Sequence, residues 1–298
     1  MNGTDYYLSA SSLFLNTGEI MYKDILLAVD FDHTLTGTNS KIPQRNLEAI
    51  EYFMENGGAF TVNTGRTPAT LRHHMDTLRY NAPLLMYNGS ASYWEGKLLD
   101  YHTIDLPVWE TMQTLRQWFP ELHIEFQAEN VNYLIDAKPE MAQLEEKMHW
   151  AWQPAAWGQD MGPFIKFALW GEVRHPGITD MYDASPEEIA YFDAAQAKLE
   201  EMWGDKLVCF RPAPRIIDVQ AKGVSKALAA RNLQKKLGRK SLVCVGDGEN
   251  DISVLEEADF AFCPSDGVVA DRFPNVCPCD EGAVADVIYH RLPEIVKG

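Results

Sequence analysis

Residues 25–37 read ILLAVDFDHTLTG, and the fold class follows from where this run changes character. Ile25 to Val29 is an unbroken apolar stretch ending in acid, the pattern of a central parallel strand buried on both faces. Asp30 therefore stands at the carboxyl end of a buried strand, where the chain leaves the sheet. Further along, Pro43 suits the first turn of a helix that carries Leu47, Ile50 and Met54 on one face and stops at Gly57-Gly58. Ala59 to Asn63 reads as the next strand. Thr67 and Pro68 read as the N-cap and first residue of a second helix striped by Leu71, Met75 and Leu78. Pro83 to Tyr87 gives a third strand, ending at Asn88-Gly89.

After Gly89 the texture changes. Strands alternate in polarity, and helices open at Pro107, Pro139 and Ser185, the last with Glu188 three residues on as a capping box. All eight Trp residues lie between Trp94 and Trp203. Most are expected in a core, whereas Trp150, Trp152 and Trp157, in a Pro/Gly-containing stretch, are candidates for a substrate-facing loop. Alternating β and α texture returns with a strand from Ile216 to Val219, a helix through Val224, Leu228 and Leu233, and the strand Leu242 to Val245, after which comes Asp247. The strand Phe260 to Cys263 and a helix interrupted by Pro293 follow. The expected architecture is α/β, a Rossmann-like doubly wound parallel sheet over residues 21–90 and 212–298, with an inserted α+β domain over 91–211. Residues 1–20 read as a polar extension, and Met21 as the plausible true start.

Bulk properties narrow the function. The chain has 298 residues, enough for two domains, and 46% of them are hydrophobic. With 26 Lys+Arg against 43 Asp+Glu the formal charge is −17, which opposes binding to nucleic acid or to anionic membranes. No apolar run reaches the ~18 residues of a membrane helix, and the N-terminus lacks a signal-peptide pattern. Five cysteines suggest no disulfide framework, and a reducing cytoplasm is expected. Cys277-Pro278-Cys279 lacks the spacing of a structural zinc site and reads as two inert thiols.

Four separated pieces follow predicted strands or open the helices after them: Asp30-Phe31-Asp32, Thr64-Gly65-Arg66, Lys222, and Asp247 to Asp251. In an open α/β sheet such ends converge on one crevice. Each piece alone has an ordinary explanation as a cap, a turn or a tight loop. Together they supply paired carboxylates, a hydroxyl, an ammonium and a second acidic pair, the groups that in-line phosphoryl transfer requires. A carboxylate attacking a phosphate dianion is repelled until a divalent cation bridges the two.

DFDHTLTG, VNTGR, AKGVSKALA and VGDGENDISVLEEAD, in that order and around that insertion, resemble the four motifs of the haloacid dehalogenase superfamily. Within it they resemble the Cof-type phosphatases, whose large α+β cap follows the second motif. The resemblance spans Asp24 to Ile295. It implies Mg2+, an aspartyl-phosphate intermediate and a small phosphate-ester substrate, a sugar phosphate or phosphorylated cofactor. By the same resemblance Asp30 is nucleophile and metal ligand, the Asp32 carbonyl also ligates, and Asp247 and Asp251 complete the metal site. The Asp32 side chain is the acid and base, Thr64 donates to the phosphoryl group, Lys222 neutralises it, and Asn250 positions Asp251 or a phosphate oxygen. Gly65, Arg66, Asn88, Gly89, Lys166 and, more weakly, Arg174 are candidates for holding substrate. One residue departs from the family pattern: His33 stands where glycine is usual, so a side chain must fit near the phosphate or point away. Two rival readings share these residues: a phosphomutase or phosphotransferase using the same intermediate, and a phosphometabolite-binding module of weak activity.

Overall fold

A computed structural model describes residues 21–136, 138–174 and 181–297. The proposed extension, residues 1–20, falls outside them. The chain divides into two compact units, one comprising the described residues through Thr64, Leu78–Leu84 and the chain from Ala227 on, the other Gly65–Thr77 and Leu85–Lys226.

The first unit is built on a five-stranded sheet in the order Asn275–Val276, Phe260–Pro264, Ser241–Val245, Ile25–Val29, Ala59–Val62. Every neighbouring pair is parallel. All five residues of Ile25–Val29 are buried, as an apolar run between two parallel neighbours must be. The chain leaves this strand for Ala59–Val62 on one side and later returns to Ser241–Val245 on the other, so the strand order reverses beside Asp30. Open α/β sheets bind ligands at that switch point, beyond the carboxyl ends of the strands.

The helix Gln44–Glu55 follows as expected, with Pro43 at its N-cap. It ends where Gly57 adopts φ 86°, a left-handed conformation glycine takes without a Cβ clash. Asn46 on this helix is fully buried. Its Nδ2 donates to Leu35 O at 2.9 Å and its Oδ1 accepts from Ala285 N at 2.9 Å, so one side chain ties the end of the loop after Asp30 to the helix Ala283–Asp286. The C-terminal helix passes through Pro293 in Leu292–Lys297 without breaking; the widened turn Val287–Arg291 lies just upstream, where a proline ring needs room. The second helix is shorter than its stripe suggests, Pro68–Leu71 followed by a tighter turn at Arg72–His74.

The second unit contains a six-stranded sheet in the order Leu207–Ala213, Ile216–Ala221, Lys166–Trp170, His123–Gln127, Asn132–Leu134, Trp152–Pro154. The strand at Ile216 is therefore not part of the resumed parallel sheet. It pairs antiparallel on both sides, and the return to the first unit comes at Ala227, later than residue 212. Asp218 and Gln220 break its apolar run at every second position, the alternation of an antiparallel strand. One face of the sheet packs Ile124, Phe126, Phe167, Leu169, Ile217 and Val219 with residues of the helices Val108–Trp118 and Pro186–Trp203. The other packs Leu134, Ala168, Trp170 and Ile216 with Met141 and Leu144 of the helix Pro139–Lys147. A further three-stranded sheet joins Leu84–Met86, Ala91–Trp94 and Lys97–Tyr101.

Trp150 belongs to the second core cluster and Trp152 packs against it, so neither is a loop residue awaiting substrate. Trp157 is exposed and lies against Trp109, ring centroids 4.8 Å apart. Asn46→Ala removes both bonds of a buried amide and is expected to destabilise the protein by about 2–4 kcal/mol, read as a lower urea midpoint at unchanged slope.

Candidate active site

The site grows from the register of two neighbouring strands. Val29 is paired with Val245, and Asp30 N donates to Val245 O at 2.8 Å, so Asp30 and the loop carrying Asp247 leave the sheet side by side. On the other flank Asn63 N donates to Val29 O at 2.8 Å, which brings Thr64, also buried, to the same end of the sheet. Asp251 comes from the turn after Asp247. Its Oδ2 accepts from Asp247 N at 3.2 Å and Gly248 N at 3.1 Å, which folds the loop back on itself. A Cβ on Gly246 would stand 2.6 Å from the Asp251 carboxyl carbon, so this approach requires glycine.

Asp30, Asp247 and Asp251 each bring one carboxylate oxygen to within 4.8 Å of the others. The Thr34 hydroxyl donates to Asp247 Oδ1 at 2.9 Å; this threonine lies inside the DFDHTLTG run but carried no expectation. The negative field is felt nearby: burial first, and then the charges of Asp247, Asp251, Asp266 and Asp271, push the Cys263 thiol up to about 12. An all-oxygen set of like charges this close fits a small hard divalent cation.

Between Asp30 and Thr36 the backbone makes one wide turn, with Leu35 N donating to Asp30 O at 3.2 Å and Thr36 N to Phe31 O at 2.9 Å. Asp32 is half-buried and extended, and His33 has φ 53°. That left-handed conformation explains why glycine suits the position. The His33 side chain is exposed. Asn250 is half-buried in the turn that leads to Asp251.

The remaining expected residues fall in the second unit. Arg66 Nη1 donates to Thr70 O at 2.9 Å, which commits part of its guanidinium to a helix end. Asn88 and Gly89 both have positive φ, and Asn88 Nδ2 donates to Asp218 Oδ2 at 3.4 Å. Gly65 packs so closely on Asn88 that a Cβ would meet Asn88 Oδ1 at 2.8 Å. Lys166 is buried, pairs with Asp218 Oδ2 at 2.6 Å and donates to Gly65 O at 3.1 Å. Asp218, which anchors both Lys166 and Asn88, carried no expectation. Arg174 pairs with Glu188 at the start of the helix Pro186–Trp203.

Lys222 is exposed, whereas Lys226 at the head of the helix Lys226–Lys236 is 1% exposed. An ammonium is buried only with a counter-charge, so burial singles out Lys226 within AKGVSKALA. Cys279 Sγ donates to Asp266 Oδ2 at 3.3 Å, and burial and that carboxylate push its thiol up to about 12; it is a poor metal ligand.

Residues 27–268 match the family described as haloacid dehalogenase-like hydrolase. The 5-amino-6-(5-phospho-D-ribitylamino)uracil phosphatase YcsE of Bacillus subtilis is 24% identical over 238 residues, 78% of this chain and 80% of its own. The crystal structure of a haloacid dehalogenase-like hydrolase from Bacteroides thetaiotaomicron superposes with a TM-score of 0.73 at 20% identity, covering 90% of this chain and 98% of that one. SMU.1108c from Streptococcus mutans UA159 gives 0.74 at 19% identity, with 91% and 99% covered. Both structures share this fold. Among the described residues no helix is long and apolar enough to cross a membrane.

His33→Gly removes the left-handed strain and is expected to raise the unfolding free energy by up to about 1 kcal/mol, seen as a higher urea midpoint.

Proposed function

The chain belongs to the haloacid dehalogenase-like hydrolases, and from that premise we propose that it is a Mg2+-dependent phosphatase of small-molecule phosphate monoesters, working through a phosphorylated Asp30. The observation that carries this reading is the meeting of Asp30, Asp247 and Asp251 at the carboxyl ends of adjacent strands. Asp30, Asp247, Asp251 and the Asp32 carbonyl would hold Mg2+, which when bound offsets the repulsion between the nucleophile and the phosphate dianion.

In this reading Asp30 attacks phosphorus in line with the leaving oxygen. Asp32, half-buried and so able to exchange protons with solvent, protonates the leaving alcohol. The same carboxylate then takes a proton from the water that cleaves the acyl phosphate. Thr34 holds Asp247 by its hydroxyl, and Thr64 offers a hydroxyl to the phosphoryl group. Lys226 supplies the ammonium that Lys222 was expected to supply, because a buried cation keeps its full strength whereas an exposed one is screened. The relative YcsE is by name a phosphatase of a ribityl-bearing phosphate, which supports a polar small-molecule ester as substrate.

The test is release of inorganic phosphate from p-nitrophenyl phosphate and a panel of metabolite phosphates, with Mg2+ and with EDTA. Release is expected only with the metal. Asp30→Asn should lower it by at least about a thousandfold, and Lys226→Ala should lower it far more than Lys222→Ala. Phosphate release that survives EDTA or Asp30→Asn would contradict the mechanism, and equal losses in the two lysine variants would contradict the assignment of Lys226.

A further inference from the structure

The second unit holds buried ionisable side chains for which phosphoryl transfer has no use. The strand His123–Gln127 turns His123, Glu125 and Gln127 to one face of the six-stranded sheet, and all three are buried. The helix Pro139–Lys147 packs on that face through Met141 and Leu144 and brings in Glu145, which like Glu125 has no exposed surface. The carboxyl of Glu145 lies against that of Glu125, a contact that can become a hydrogen bond only if one of the two carries a proton. Asn132 Nδ2 donates to Glu145 Oε2 at 3.2 Å.

Two ionised carboxylates cannot make such a bond, since each only accepts. With both ionised, Glu145 Oε1 would have no donor, and two like charges would lie together out of water. One proton turns the contact into a charge-assisted O–H···O bond. We propose that Glu125 and Glu145 share one bound proton at neutral pH, and that this proton fastens the helix Pro139–Lys147 to the sheet of the second unit.

The neighbouring charges favour that state. Lys166 on the adjacent strand bonds to Asp218 at 2.6 Å and to Gly65 O, and its charge offsets only part of the burial that raises Glu125. Asp218, from the strand beyond, adds negative charge and raises Glu125 further. His123, on the same strand as Glu125, has Nε2 3.8 Å from Glu140 Oε1 of the helix. Burial and then Lys138 lower its pKa to about 4, so it is neutral and supplies no cation. Burial raises both glutamates above the ordinary carboxyl value of 4.5, and the Glu125 charge raises Glu145 further. Gln127, Lys166 and Trp170 pull Glu125 back toward its charged form, so one proton serves the pair.

A carboxyl whose folded-state pKa is raised makes the folded chain bind more protons than the unfolded chain above the ordinary carboxyl value. Its contribution is fully present on the acid side and is lost as pH rises through neutrality. Hydrogen exchange of the full chain, corrected for the intrinsic pH dependence of exchange, reads this directly. Between about pH 6 and about pH 9, protection of residues 123–134 and 139–147 is expected to fall by up to about tenfold per pH unit relative to residues 25–29 and 241–245. Glu145→Gln, which keeps a neutral donor, should flatten the dependence. Protection that does not change with pH in the wild type, or changes equally in Glu145→Gln, would overturn the proposal. If that variant does not fold, Glu125→Gln takes its place. Should neither fold, the infrared band of a protonated carboxyl decides: it must persist in the wild type at neutral pH, and its absence would overturn the shared proton.

Discussion

The mutual repulsion of Asp30, Asp247 and Asp251 is the constraint around which the first unit is arranged. With oxygens within 4.8 Å of one another, each ionised pair costs on the order of 3 kcal/mol at an effective dielectric near 20. These groups are held by the in-register pairing of Ile25–Val29 with Ser241–Val245, by the two N–H groups that clasp Asp251 Oδ2, and by glycine at position 246, where no Cβ fits. Asn46 completes the support by tying Leu35, at the end of the loop after Asp30, to the helix Ala283–Asp286. The rigidity of a parallel sheet is thus used to hold an arrangement that would otherwise spread apart.

The second unit meets the same difficulty with a different answer. Its six-stranded sheet has one apolar face and one face where His123, Glu125, Gln127, Lys166, Asp218 and Gln220 are all buried. There the Lys166–Asp218 ion pair settles one acid, and a proton between Glu125 and Glu145 settles the other two. In the proposed function a cation would answer the crowding of carboxylates in the first unit, and in the second a shared proton answers it. Buried polar groups of this kind add little net stability over an apolar core but fix one arrangement of side chains when fully satisfied.

Much of this was legible in the sequence because the deciding signals are local. An unbroken apolar run ending in Asp30 can hardly be anything but a central strand, and Pro43, Gly57 and the Ser185–Glu188 box mark helix ends through backbone chemistry that needs no tertiary context. The strand at Ile216 was misplaced because an apolar run reads alike in either unit; the polar Asp218 and Gln220 were the overlooked sign. Lys222 was named from AKGVSKALA because a motif fixes a neighbourhood, while burial, which separates it from Lys226, appears only after the chain has folded. For the same reason Trp150 read as loop and is core. Thr34, Asp218 and the Glu125–Glu145 pair act through partners distant in sequence, which no spacing rule reveals.

The central claim, that three crowded carboxylates are balanced by a divalent cation, is tested most directly by thermal unfolding against Mg2+ concentration in the wild type and in Asp247→Asn. A ligand that binds only the folded state raises stability with the logarithm of its concentration above the dissociation constant. The account predicts a saturable onset followed by that rise in the wild type. In Asp247→Asn it predicts a higher melting temperature without metal and little or no response to Mg2+. A wild type indifferent to Mg2+, or a variant that responds as strongly as the wild type, would contradict it.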